Sequence, residues 1–269
     1  MAAKTYLFVP GNRPERFEKA YASGADAVIL DLEDAVATEA KVEARDAVCK
    51  WLSESGKAYV RVNAADTEWF KSDLADIVTC AGLLGIVVPK AEDADFLATV
   101  SGKLPPHAVL LPLIETAVGF ESLRAIARSP KVERLLFGTI DFQVDTGIRG
   151  DGEELQYFRS EITLVSRLAG LAGPVDGVTA TLDDGEQLRL ETLRGRDLGF
   201  RGKLCIHPKQ IAHVNAAFTP NADEIDWAKR VLKAVEKSKG SATTVDGKMV
   251  DVPIILKARD VLQSAGVPS

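Results

Sequence analysis

Apolar residues along this chain fall into two patterns that take turns. The first is a set of short, nearly unbroken runs: "TYLFVP" (5–10), "AVILDLED" (27–34), "AYVRVNA" (58–64), "LGIVVPKAE" (84–92), "AVLLPLIET" (108–116), "RLLFGTID" (134–141), "VDGVTAT" (175–181) and "GKLCIHP" (202–208). Runs of this length and β-branched content predict strands buried on both faces. The second pattern lies between them, in stretches such as "RPERFEKAYAS", "KVEARDAVCKWLSES" and "YFRSEITLVSRLAGL". Apolar residues there recur every three or four positions, which predicts amphipathic helices. Eight strands joined by crossover helices imply parallel pairing. In a chain of 269 residues they predict an α/β fold, a TIM (β/α)8 barrel, before an open doubly wound sheet.

No linker rich in Pro, Gly or Ser interrupts the pattern, so residues 1–240 are expected to form one catalytic barrel domain. The tail differs. "SATTVDGKMVDVPIILKARDVLQSAG" predicts a hairpin followed by one more helix, elements that a barrel does not need. Residues 241–269 are therefore expected to be a C-terminal extension, packing on a neighbouring subunit.

Polar residues cluster where each run ends, and in this fold the site forms at the carboxyl ends of the strands. In chain order those ends carry Arg13; Asp31, Glu33 and Asp34; Arg61 and Asn63; Lys90 and Glu92; Glu115; Asp141; and His207. Any one strand must end in something polar. Seven of eight ends directing charge or hydrogen-bonding groups into one ring is harder to explain that way. Asp31, Glu33, Asp34, Glu115 and Asp141 against Arg13, Arg61 and Lys90 leave a negative surplus that a divalent ion would balance. Carboxylates without His or Cys suit a hard ion, Mg²⁺ or else Mn²⁺. Mg²⁺ takes only one or two protein carboxylates and keeps oxygens of water or substrate for the rest. "DLED" (31–34) is then expected to face a metal and its waters. The alternative is pairing with Lys41 or Arg45 of the next helix, which accommodates any one of the three acids more easily than all three.

Composition narrows the function classes. A hydrophobic content of 46% supports a large core, and a net charge of -6 offers no basic face to nucleic acid. No apolar stretch approaches the roughly 20 residues of a membrane span, and the start of the chain lacks a signal peptide's apolar region. Cys49, Cys80 and Cys205 are scattered and lack CxxC spacing. They are expected to be reduced thiols in a cytoplasmic protein, and zinc is not expected.

Taken together, "LFVPGNRPERFEKA", "VILDLEDAV", "VRVNA", "VVPKAE", "LIETAVGF", "FGTIDF", "GKLCIHPKQI" and "GKMVDVP" resemble, in order and spacing, the citrate lyase β-subunit-like proteins or CoA ester lyases of the HpcH/HpaI aldolase group. The resemblance spans nearly the whole chain. It implies metal ligation by Glu115 and Asp141, with Glu115 also meeting substrate. It implies contact of Arg61 with substrate carboxylate or thioester oxygen, and roles for Glu33 and Asp34 around the metal waters. Asp251 matches a catalytic acid/base that malyl-CoA lyase relatives supply from the neighbouring subunit, and Phe8, Arg13 and Lys19 match positions that hold CoA. Many citrate lyase β-like members carry Glu before the Asp of strand six, where this chain has Ile140.

The implied activity is Mg²⁺-dependent carbon–carbon cleavage or formation of a 3-hydroxyacyl-CoA, such as citramalyl-CoA or malyl-CoA, to acetyl-CoA and a 2-oxo acid. The implied assembly is a homotrimer or a multiple of three. Two alternatives stay open: a citrate lyase β-type subunit acting on an acyl-carrier-protein thioester within a complex, and a class II aldolase on free hydroxy-oxo acids. His207 is expected to hydrogen-bond at the end of strand eight rather than to react.

Overall fold

The computed structural model describes residues 3–54, 56–238 and 243–267. Eight parallel strands pair in sequence order and close on themselves: β1 (Thr5–Pro10), β2 (Ala27–Asp31), β3 (Ala58–Arg61), β4 (Leu83–Val88), β5 (Val109–Ile114), β6 (Leu136–Phe137), β7 (Val175–Asp176) and β8 (Gly202–Cys205). The TIM barrel expected from the hydrophobic pattern is the fold. Side chains at alternate positions, among them Tyr6, Ala27, Ile29, Val87, Leu111, Leu113, Leu136, Val175 and Leu204, fill its interior. Neighbouring residues of the same strands, such as Leu7, Val28 and Leu30, are equally buried. With both strand faces buried, the runs carry no polar alternation.

The surrounding helices follow the second pattern. Helix Lys41–Glu54 buries Ala44, Val48 and Leu52 along one stripe, and helix Gln156–Leu168 buries Ile162 and Val165. Side-chain caps begin several of them. Asp93 accepts from the Asp95 N–H, Thr116 from that of Gly119 and Asp184 from that of Gln187.

β1 spans the expected residues, but the other seven strands stop earlier than the sequence predicts, and β6 also starts two residues later, so the polar residues expected at strand ends mostly lie in the loops beyond. One difference changes the site. Residues 139–141 do not continue β6 but open helix Thr139–Thr146, in which Thr139 and Phe142 are buried at helical spacing. Asp141 therefore stands in the first turn of a helix.

By internal packing the chain divides into two units, residues 2–215 and residues 216–269. The second contains helix Ala222–Ser238, the antiparallel hairpin of β9 (Thr243–Val245) and β10 (Lys248–Val250), and helix Val252–Ser264. Ala228, Val231, Val250, Ala258 and Leu262 form its own core. The hairpin turns through Asp246 and Gly247, both at positive φ, as the Asp-Gly pair demands. The hairpin and final helix expected of the tail are present. The expected boundary at 240–241 lies outside the described residues. No described helix is long and apolar enough to cross a membrane.

Candidate active site

Asp31 and Arg61 are the last residues of adjacent strands and are register partners, so their side chains rise together at the barrel mouth. The Arg61 guanidinium closes a fork on Asp31: Nε donates to Oδ1 at 2.7 Å and Nη2 to Oδ2 at 2.6 Å. Nη1 lies 2.9 Å from Glu33 Oε2 and donates to Asp34 Oδ2 at 3.2 Å. The Phe8 ring lies against the guanidinium, 4.8 Å from centroid to Cζ. Burial alone would lower the guanidinium's pKa, but the three carboxylates outweigh it and raise it.

"DLED" thus faces an arginine. Of its three acids, Asp31 is the one turned away from any metal, because both its oxygens are engaged by Arg61 and by the N–H groups of Glu33 and Ala35; Asp34 borders the same cavity as Glu115 and Asp141. The rival expectation fails. Lys41 Nζ donates to the Leu32 and Glu33 carbonyls, at 2.8 and 2.7 Å, and Arg45 pairs with Asp73 and Asp76.

Glu115, the residue after β5, is buried at 2% exposure. Its Oε1 accepts from the Lys90 N–H at 2.8 Å, and no described residue hydrogen-bonds Oε2. Gly138 permits this placement: a Cβ there would stand 2.6 Å from both Cβ and Oε2 of Glu115. Burial, then the nearby charge of Glu33, pushes the Glu115 carboxyl up to about 8. Burial and the charges of Asp34 and Asp31 push Glu33 up to about 7 despite Arg61. Glu33 Oε2 makes no well-directed hydrogen bond even though Arg61 is near. Asp141 is raised by partial burial and by Asp34.

These groups border a cavity of about 320 Å³ whose wall includes Phe8, Asp31, Asp34, Arg61, Glu115 and Asp141 together with apolar Leu113, Ile140, Val178, Leu204 and Ile206. Among the described residues no three His, Cys, Asp or Glu side chains gather closely enough to enclose an ion. Two carboxylates on one open wall, one with a free oxygen and both resisting ionisation, nevertheless fit a hard cation that keeps most of its ligands as water or substrate.

Other expected residues lie elsewhere. Arg13 pairs with Glu15 at 2.7 Å and Lys19 is exposed on helix Phe17–Tyr21; neither borders the cavity. Asp251 belongs to the second unit, where it is exposed and its Oδ1 accepts from the Ile254 N–H as the cap of helix Val252–Ser264. His207 takes a structural role, Nδ1 accepting from the Lys209 N–H.

Sequence reasoning passed over Asp176, the polar end of β7. It is buried against Arg159, which also grips Asp151 of the preceding loop. The signal was its place in the seventh apolar run, the one strand end left uncounted. It also passed over Gly177, beside which a Cβ would meet Thr139 Oγ1 at 2.3 Å, so that the helix bearing Asp141 rests directly on the end of β7.

Comparison with known proteins agrees with this geometry. The HpcH/HpaI aldolase/citrate lyase family matches residues 4–208. A protein of Cereibacter sphaeroides (strain ATCC 17025) named (3S)-malyl-CoA thioesterase is 36% identical over 271 residues, covering 97% of this chain and 94% of its own. The L-malyl-CoA/beta-methylmalyl-CoA lyase of the same strain is 34% identical over 298 residues, covering 96% and 93%. CitE of Mycobacterium tuberculosis, crystallised with magnesium, acetoacetate and coenzyme A, superposes with a TM-score of 0.87 at 34% identity over 98% of this chain and 99% of that one. The chain belongs to the HpcH/HpaI aldolase/citrate lyase family and is an enzyme of that carbon–carbon lyase class.

Proposed function

We propose that the protein is a free-standing, cytoplasmic, divalent-metal-dependent CoA ester lyase. It cleaves or forms a short 3-hydroxyacyl-CoA such as citramalyl-CoA or malyl-CoA, with acetyl-CoA and a 2-oxo acid as the other side of the equilibrium. The observation that carries this is the pair Glu115 and Asp141 lining one cavity, with Glu115 Oε2 hydrogen-bonded by no described residue. Together they would hold Mg²⁺, which when bound supplies Lewis-acid polarisation of the oxo-acid carbonyl. The magnesium and coenzyme A of the CitE structure support the reading.

The remaining work falls to the chain's own groups. Arg61, fixed by Asp31 and bordering the cavity, supplies positive charge toward the charge that develops on the thioester oxygen. Glu33, poised at about 7, is suited to holding or releasing a proton near neutral pH, with the more open Asp34 beside it. Phe8, Arg13 and Lys19 are assigned to CoA. Asp251 is assigned the proton transfer at the enolate carbon, reaching the site of a neighbouring subunit in a trimer or a multiple of three; a monomer in light scattering would remove that role.

Incubation with Mg²⁺, acetyl-CoA and pyruvate or glyoxylate is expected to give the hydroxyacyl-CoA by mass spectrometry, and EDTA to abolish it. Absence of any metal-dependent product would reject the proposal. The thioesterase name of one relative favours a second outcome, hydrolysis of the thioester after or instead of carbon–carbon cleavage. Free thiol released from malyl-CoA in the same assay reports it.

A further inference from the structure

Among the described residues, Arg134 and Arg159 are the two largest side chains lost wholly to the interior, each 1% exposed. Neither borders the cavity. Arg134 works at the foot of the barrel. It donates to the carbonyls of Ala3 and Gly173, which precede β1 and β7, and to the Tyr6 hydroxyl. Arg159 serves the opposite end. From helix Gln156–Leu168 its Nε donates to Asp176 Oδ1 at 2.9 Å, while Nη1 and Nη2 donate to the carbonyl and Oδ1 of Asp151, each at 2.7 Å.

These contacts bracket one segment. Residues 138–151 leave β6, carry Asp141 in the first turn of helix Thr139–Thr146 and return through "GIRGDG" (147–152). At the start of that segment the Arg159 guanidinium lies 5.7 Å from the centre of the Phe137 ring, the last side chain of β6; at its end it holds Asp151. Its partner Asp176 also accepts from the Gly177 N–H at 2.9 Å, and Gly177 is where Thr139 rests. Three glycines in "GIRGDG" leave the return cheap to deform, so its course depends on the grip on Asp151. Arg194 adds a second hold, Nη2 donating to Asp151 Oδ2 at 2.5 Å. Burying an ion pair gains little stability over an apolar replacement, because desolvation cancels most of the attraction. What three directed donors do supply is fixed geometry.

We propose that Arg159 is a positioning residue for the metal site. By tying Asp151 to the end of β7 it sets where the segment bearing Asp141 stands, and hence how well Asp141 and Glu115 together hold a divalent ion. This rests on the reading of Asp141 as a ligand given above, and adds a residue outside the cavity wall on which that ligand's placement depends.

Mn²⁺ is the probe, its affinity for the whole protein followed by electron paramagnetic resonance, with the melting temperature recorded in EDTA. Arg159→Met is expected to weaken Mn²⁺ binding about tenfold, the scale on which support behind a ligand acts. Arg159→Lys should be nearly as deficient, because one amine cannot serve both aspartates as the fork does. Arg134→Met removes an equally buried arginine. Its melting temperature should fall by a similar amount while its Mn²⁺ affinity stays at the wild-type level, which separates position from stability. Asp151→Ala keeps the Arg159–Asp176 pair and the Asp151 carbonyl, and so tests the tie even where an arginine variant does not fold. It should weaken Mn²⁺ binding severalfold, and Asp151→Asn, which retains one acceptor oxygen, should weaken it less. Wild-type Mn²⁺ affinity in Asp151→Ala and in whichever Arg159 variant folds would overturn the inference and leave the proposed function standing. Equal losses of affinity in Arg134→Met and Arg159→Met would overturn it in favour of general stability. A wild-type protein that takes up no Mn²⁺ would overturn the proposed function and the inference together.

Discussion

Glu115 shows how much of this site depends on atoms that are missing. Its carboxylate occupies the space that a side chain at Gly138 would fill. Gly138→Ala is therefore expected to weaken Mn²⁺ binding about as severely as Glu115→Gln, roughly tenfold or more, although no ligand has changed. Mn²⁺ titrations followed by electron paramagnetic resonance check this, and wild-type affinity in Gly138→Ala would refute it. The same carboxylate and Glu33 make stability depend on pH. Their folded values, about 8 and about 7, lie above the ordinary Glu value of 4.5. The folded state thus keeps protons that the unfolded chain gives up, and this stabilising effect is lost as pH rises through 7 and 8. In EDTA the melting temperature should fall between about pH 6 and pH 8.5. Glu115→Gln or added Mg²⁺ should flatten the fall, and melts that rise over this range in EDTA would contradict the assignment.

Elements position what residues alone cannot. Helix Thr139–Thr146 carries Asp141 on its first turn, and its start lies against the end of β7 because position 177 has no side chain. Gly177→Ala should lift that helix, cost about 1–3 kcal/mol and weaken Mn²⁺ binding. Thr139→Ala in the same chain removes the Oγ1 and Cγ2 clashes and leaves a Cβ at 3.0 Å, so it should restore part of the affinity. A double variant no better than the single one would show that the helix is held by other contacts. This scale also marks what could be read from the sequence. All eight strands were visible as continuous apolar runs, and so were the tail hairpin and its helix. The strand ends after β1 were overrun, because burial of both faces says nothing about where the backbone leaves its pairing. The strand-to-helix switch at Thr139 was hidden for the same reason. Arg61 was picked out by its place at a strand end and by resemblance. Its fork on Asp31, 30 residues away in the chain, depends on strand register, which a pattern along one segment does not encode.

At the scale of the molecule, the barrel gathers five carboxylates at one mouth and sets three nearby cations against them, Arg61, Lys41 and Lys90. Such an arrangement governs chronology as well as affinity. A negatively charged visitor arriving alone is repelled, whereas a dication is welcomed and in settling lowers the barrier for whatever anion comes next. Turnover should accordingly show compulsory order, metal before acid, with the empty enzyme indifferent to oxo acids however concentrated they are.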